Sequence, residues 1–196
     1  MDFTTEIRGH TLEYIDEGHI YLVDGVIVPS ITQILKVKFG NKYDHVDRAT
    51  LQRASEAGTR VHEAIELYCK RDIEIDGVPE LRGFKFLERQ YRFEVMENEL
   101  PVILFDGDEP ISAGRMDMVV RMDDQIGLAD IKRTSTLDKE YLFYQLNLYG
   151  IAYRQCHGVP VDFLRGIHLR EDVRKFVPIP INEGMAWELV KEYRNE

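Results

Sequence analysis

The apolar positions change period several times along the chain, and each change marks a change of element. Thr11–Tyr14 and His19–Val23 read as short strands joined by a turn at Asp16–Gly18. Asp24-Gly25 is a hairpin turn signal ahead of Val26–Val28. Pro29 and Ser30 then open a short helix, Ile31 to Leu35, with Ser30 as its N-cap. From Val46 to Lys70 the spacing turns helical, with Leu51, Ala54, Val61, Ala64, Ile65 and Leu67 on the apolar face. Gly58 interrupts that face at a cost of about 1 kcal/mol against Ala, so a close packing or ligand contact is expected there. A second helix is predicted from Pro79 to Met96, then three strand-like segments, Leu100–Phe105, Ala113–Met122 and Ile126–Arg133. A strong helix over Asp138 to Cys156 follows, then a hairpin of Phe163–Leu169 with Lys175–Ile179, and a last helix from Asn182 to Tyr193.

Helix, three strands, helix, strands is the order of an α/β fold: a mixed central sheet flanked by helices, with an N-terminal β-hairpin segment. No repeat, low-complexity run or Pro/Gly/Ser-rich linker divides the 196 residues, so a single domain is expected. Its parts are residues 1–36 (strands and short helix), 46–156 (core) and 157–196 (hairpin and helix).

Composition narrows the possibilities. An apolar fraction of 44% and a charged fraction of 31% are ordinary for a globular protein. No apolar run is long enough to span a bilayer and the opening MDFTTEIRGH has no secretory pattern, so a cytosolic location is expected. Cys69 and Cys156 form no CxxC pair, which argues against a disulfide framework, a zinc ribbon or an iron–sulfur cluster. The net charge of −10 points away from loose, non-specific binding of nucleic acid. Net charge is a sum, however, and a local basic strip can survive it.

The chemistry concentrates in Ala113-Gly-Arg-Met-Asp117 followed by Leu128-Ala-Asp130-Ile-Lys132. Both acids end apolar strand stretches that lie one hairpin apart. A period of two puts Asp130 and Lys132 on one face and turns Ile131 to the other. Pairing about Asp123-Asp124 brings Asp117 opposite Asp130 or one position away. Two carboxylates so placed repel unless a cation sits between them, and oxygen ligands suit Mg²⁺ or Mn²⁺. A lysine one step from such an ion is placed to orient a water and to stabilise charge on a phosphate.

Asp117 with Asp130-Ile-Lys132 resembles the core motif of the PD-(D/E)XK nuclease superfamily. Further elements resemble its branch of RecB-type domains and the mitochondrial genome maintenance exonuclease: Gly58-Thr-Arg-Val-His62, Glu99, Gln145-Leu-Asn-Leu-Tyr149 and Val28-Pro29-Ser30-Ile31-Thr32. Together they span residues 19–153 or so. The resemblance implies a restriction-endonuclease-like fold whose residues 46–156 form the catalytic core. It also implies a metal site of Asp117, Asp130, the Ile131 carbonyl, His62 and Glu99, with Lys132, Gln145 and Tyr149 completing the catalytic set. The implied activity is a metal-dependent exonuclease acting on linear DNA in recombination, repair or replication, with a homo-oligomer or a recombination protein as candidate partner. A phage origin, and so a host cytoplasm, is a further implication of the same kind.

Each of these residues also has a plainer explanation. His62 on an apolar helix face is the place of a satisfied core histidine, and Gln145 with Tyr149 is a packing pair at i,i+4. Glu97 competes with Glu99 for the outer acid. Glu63 and Glu66 read as solvated helix charges, Asp106-Gly-Asp-Glu109 as a turn, and Ser30 and Thr32 as caps. A nuclease-fold protein that only binds DNA or a partner, an endonuclease of the same fold and an acidic metal-binding scaffold are the alternatives.

Overall fold

The computed structural model of the protein describes residues 2–40 and 46–195. Strands β1 (Phe3–Ile7), β2 (His10–Ile15), β3 (Ile20–Val23) and β4 (Val26–Val28) make an antiparallel sheet in chain order. Arg8-Gly9 and Asp24-Gly25 take positive φ at both positions, the geometry that lets a two-residue turn follow the strand twist. β1 is an addition to the expected strands: Phe3, Thr5 and Ile7 are half-buried while Thr4 and Glu6 face outward. Leu12, Tyr14, Tyr21, Val23 and Val28 pack on Ile103, Phe105 and Ala113 of the main sheet.

Two short helices follow, α1 (Ile31–Ile34) and α2 (Lys36–Phe39). Ser30 caps α1 in a capping box with Gln33, so its hydroxyl is engaged locally, and the Thr32 hydroxyl lies 2.9 Å from it. α3 (Arg48–Arg71) starts at the Asp47 cap and runs unbroken past Gly58. A methyl group at Gly58 would meet nothing within 4 Å, so no close packing against the described residues accounts for it.

α4 (Pro79–Tyr91) is shorter than predicted. Arg92 enters the left-handed region and ends it, and β5 begins at Phe93 rather than Leu100, running to Asp106. The segment Phe93–Met96 reads as helix by propensity. Tertiary pairing overrides this: Phe93 pairs with Met122 across the sheet and stacks on Phe176 at 5.0 Å.

β5 (Phe93–Asp106), β6 (Glu109–Met122), β7 (Gln125–Lys132), β8 (Phe163–Arg170) and β9 (Val173–Ile179) form a mixed five-stranded sheet in that order. Only β7 and β8 are parallel, with α5 (Lys139–His157) as their crossover. Those two inner strands are buried on both faces, which explains their near-continuous apolar runs. Val119, Leu128 and Leu164 face α5 and α6 (Glu183–Asn195), whereas Val120, Ala129 and Ile167 face α3 and α4. The protein is thus of the α/β class, as its sequence pattern implies. No helix among the described residues is long and apolar enough to cross a membrane.

Close packing of β7 against β8 is testable at Gly127, where an added methyl would lie 2.3 Å from the Phe163 ring. Gly127→Ala is expected to lower stability by about 1–3 kcal/mol in urea unfolding, the range for overpacked cores. An unchanged midpoint would contradict this register.

Candidate metal centre

β6 and β7 pair from Met122 with Gln125 as far as Met118 with Ala129 and then part, although both strands continue. One further step of that register sets Asp117 against Asp130. Asp117 Oδ2 instead accepts the Ile131 N–H at 2.7 Å, tying the two strands across the gap. On the other side of β6, Asn98 with Met118 and Leu100 with Met116 bracket Glu99 against Asp117. Glu99 has φ 54, unusual for a residue with a side chain, and this conformation costs about 1 kcal/mol or more. Its rival Glu97 is exposed.

α3 supplies His62. Its Nδ1 lies 3.7 Å from Glu99 Oε1 and 3.6 Å from Asp117 Oδ2, while Nε2 hydrogen-bonds the Ile131 carbonyl at 3.3 Å. With Nε2–H donating to that carbonyl, Nδ1 faces the acids. One ligand atom from each of His62, Glu99 and Asp117 falls within 4.8 Å of the others, a group that can hold a metal ion. Asp130 lies outside this group. It is buried, and its Oδ2 is ion-paired to Lys132 Nζ at 2.6 Å. The Ile131 carbonyl, expected among the ligands, carries the imidazole.

The electrostatics follow from this crowding. Burial and the neighbouring Asp117 raise the Asp130 carboxyl above its ordinary range, against the pull of Lys132 and His62. Burial alone would lower Lys132, but Asp130 and Asp117 more than reverse it and the net shift is upward. Burial likewise opposes the imidazolium of His62, yet Asp117, Glu99 and Asp130 raise it to about 9.

Gln145 and Tyr149 are both buried on α5. The Tyr149 hydroxyl donates to the Arg115 carbonyl at 3.1 Å, and its ring lies where a Cβ on Gly114 would come within 2.9 Å. Burial holds that hydroxyl far above its usual pKa, so it stays protonated and positions β6. Gln145 Oε1 is buried with no hydrogen-bond partner among the described residues. Glu63 is exposed, and Glu66 pairs with Lys70 at 2.7 Å, as solvated helix charges do.

Arg115 belongs to the centre although its sequence position suggested no role. Its Nε lies 2.6 Å from Glu99 Oε2, and its guanidinium sits 5.4 Å from the centre of the Tyr14 ring. The signal available was the strand period, which puts Arg115 on the face of Asp117, two residues on.

No protein-family model matches this chain, and no curated protein matches it. Among solved structures, the chain is similar to the crystal structure of SSO0001, at 14% identity and a TM-score of 0.48, covering 86% of this chain and 75% of that one. A likeness at this level carries no argument about activity.

The raised histidine predicts a pH dependence of stability. A folded pKa of about 9 against an ordinary 6.5 contributes stability that is complete below the lower value and is lost as pH rises through the upper one. With divalent ions chelated, the stability difference between the protein and His62→Gln should be widest at the acid end of that window. It should close as the window is crossed. A constant difference in urea unfolding would show that the acids do not hold the imidazole charged.

Proposed function

We propose that the protein is a metal-dependent deoxyribonuclease that hydrolyses DNA phosphodiester bonds, acting as an exonuclease in recombination, repair or replication. The observation that carries this is the convergence of His62, Glu99 and Asp117 within 4.8 Å, beside the Lys132–Asp130 pair, where two strands part. The choice of DNA, and of DNA ends, comes from the resemblance to PD-(D/E)XK exonucleases and the restriction-endonuclease-like arrangement that it implies.

His62, Glu99 and Asp117 would hold Mg²⁺ or Mn²⁺, with Asp130 beside them; when bound, the ion supplies Lewis acidity toward a phosphate oxygen. Lys132, kept as an ammonium by Asp130 and Asp117, has no lone pair with which to take a proton. It donates hydrogen bonds instead. It orients a water and meets the negative charge that grows as the water oxygen attacks phosphorus and the bond to the leaving oxygen breaks, the water giving up one proton to solvent and the leaving oxygen taking one from solvent. Arg115 and Tyr149 hold Glu99 and the β6 backbone in place.

Lys132→Ala is expected to lower the hydrolysis rate by about 100-fold or more while metal binding persists. Asp117→Ala should lose both. Hydrolysis by the unaltered protein in EDTA would sink the metal-dependent reading. An exonuclease should spare covalently closed single- and double-stranded DNA while degrading linear forms, and equal rates on both would replace it with an endonuclease.

The imidazole makes a separate prediction. Mn²⁺ accepts a nitrogen ligand more readily than Mg²⁺, so calorimetry should find Mn²⁺ bound more tightly. His62→Ala should narrow the difference between the ions. Because His62 carries a proton up to about pH 9, binding should release that proton and strengthen as pH rises. Equal Mn²⁺ affinity in both proteins would return His62 to a packing role.

A further inference from the structure

The chain carries 35 acidic residues against 25 basic ones, yet one stretch of its surface is basic. Two adjoining hollows, of about 180 and 450 Å³, share Pro79 and Glu171. Arg60 and Arg133 line the first, and Arg82, Arg170 and Arg174 line the second. Three acids accompany them, but Glu80 is taken up by Arg133 at 2.6 Å, which leaves Glu171 and Asp172. Arg82, Arg170 and Arg174 are exposed and make no ion pair among the described residues. Arg174 lies 4.1 Å over the Phe86 ring, an arrangement that steadies a guanidinium without using its N–H groups.

Topology places this groove at the same end of the sheet as the charged centre. β7 and β8 run parallel with Lys132 alongside His168, so Arg133 and Arg170 follow the same end of the sheet. Arg60 precedes the centre's His62 by two residues on α3. The groove therefore lies at the same end of the sheet as the site, on the side of α3 and α4, and runs over the first turn of α4 and the β8–β9 turn.

We propose that this groove seats the sugar–phosphate backbone of nucleic acid on one side of the reacting phosphate, with Arg82, Arg170 and Arg174 each meeting a phosphate. The identification of the ligand rests on the nuclease function proposed above. Guanidinium groups match phosphate oxygens in a two-pronged geometry and are weakly hydrated, so they give up water readily. Acidic surface elsewhere repels a polyanion and would confine it to this track.

The test is fluorescence anisotropy of a labelled single-stranded oligonucleotide of about 20 residues, in EDTA, across a salt series. The protein is compared with the triple variant Arg82→Ala, Arg170→Ala, Arg174→Ala. Affinity should fall about tenfold or more at ~0.1 M salt, and the slope of log K against log salt should shrink by about 2, at ~0.7 for each single-strand phosphate that the variant no longer neutralises. Unfolding midpoint and Mn²⁺ affinity should not change. Equal affinity and slope in the two proteins would overturn the groove, as would absence of binding by the unaltered protein at low salt. Displacement of the oligonucleotide by polyglutamate as effective as that by unlabelled DNA would overturn it in favour of an acidic polypeptide. A DNA-cleaving parent whose variant binds normally removes the groove and keeps the nuclease. A parent that never cleaves, with a variant that does not bind, keeps the groove and removes the nuclease.

Discussion

Glu99, Asp117 and Asp130 converge where β6 separates from β7, and like charges at such range repel one another. The fold answers with His62, Arg115 and Lys132, one cation drawn to each crowded acid. The balance is electrostatic rather than a matter of packing, and its mark is that both the imidazole and the Lys132 ammonium hold their protons more tightly than usual. A divalent ion entering between His62, Glu99 and Asp117 would supply the same compensation with a denser charge. It would release the histidine proton as it did so.

Much of the surrounding structure serves to keep this cluster in register. The Ile131 N–H and carbonyl reach Asp117 and His62, so one residue of β7 locks a strand and a helix together. Tyr149 braces β6 from the opposite face through the Arg115 carbonyl and the bare Cα of Gly114. The segment before α1 joins the same strand: the Ala113 N–H and the Ser112 hydroxyl both donate to the Pro29 carbonyl. Ser30 caps α1, as its place in the sequence suggests, and the Tyr149 hydroxyl engages a backbone carbonyl of β6.

The strand period and the Asp123-Asp124 turn are enough to bring Asp117, Asp130 and Lys132 together from the sequence. His62 and Glu99 needed the resemblance, because nothing in local pattern distinguishes a histidine aimed at acids from one packed in a core. Three things were not legible, each for a physical reason. The end of α4 depends on Phe93 finding Met122 and Phe176, partners far along the chain. The engagement of Asp130 by Lys132 follows from burial, which spacing does not report. The arginine groove draws on α3, α4 and the β8–β9 turn, so no single stretch of sequence looks basic.

The hydrogen bond between His62 and Ile131 joins residues 69 apart in the chain, and β7 acquires its second neighbour only after α5 has intervened. Pairings of this reach form late, because the loop between them must close before they repay its entropy. In a chain emerging from a ribosome, β5 to β7 can pair early as a meander. The edge of β7 that carries Asp130 and Lys132 stays open until Phe163–Arg170 has been made. The stretch of β7 that carries Asp130 and Lys132 therefore gains its strand partner only once most of the chain has been made, and the integrity of the charged cluster reports on the state of the whole sheet.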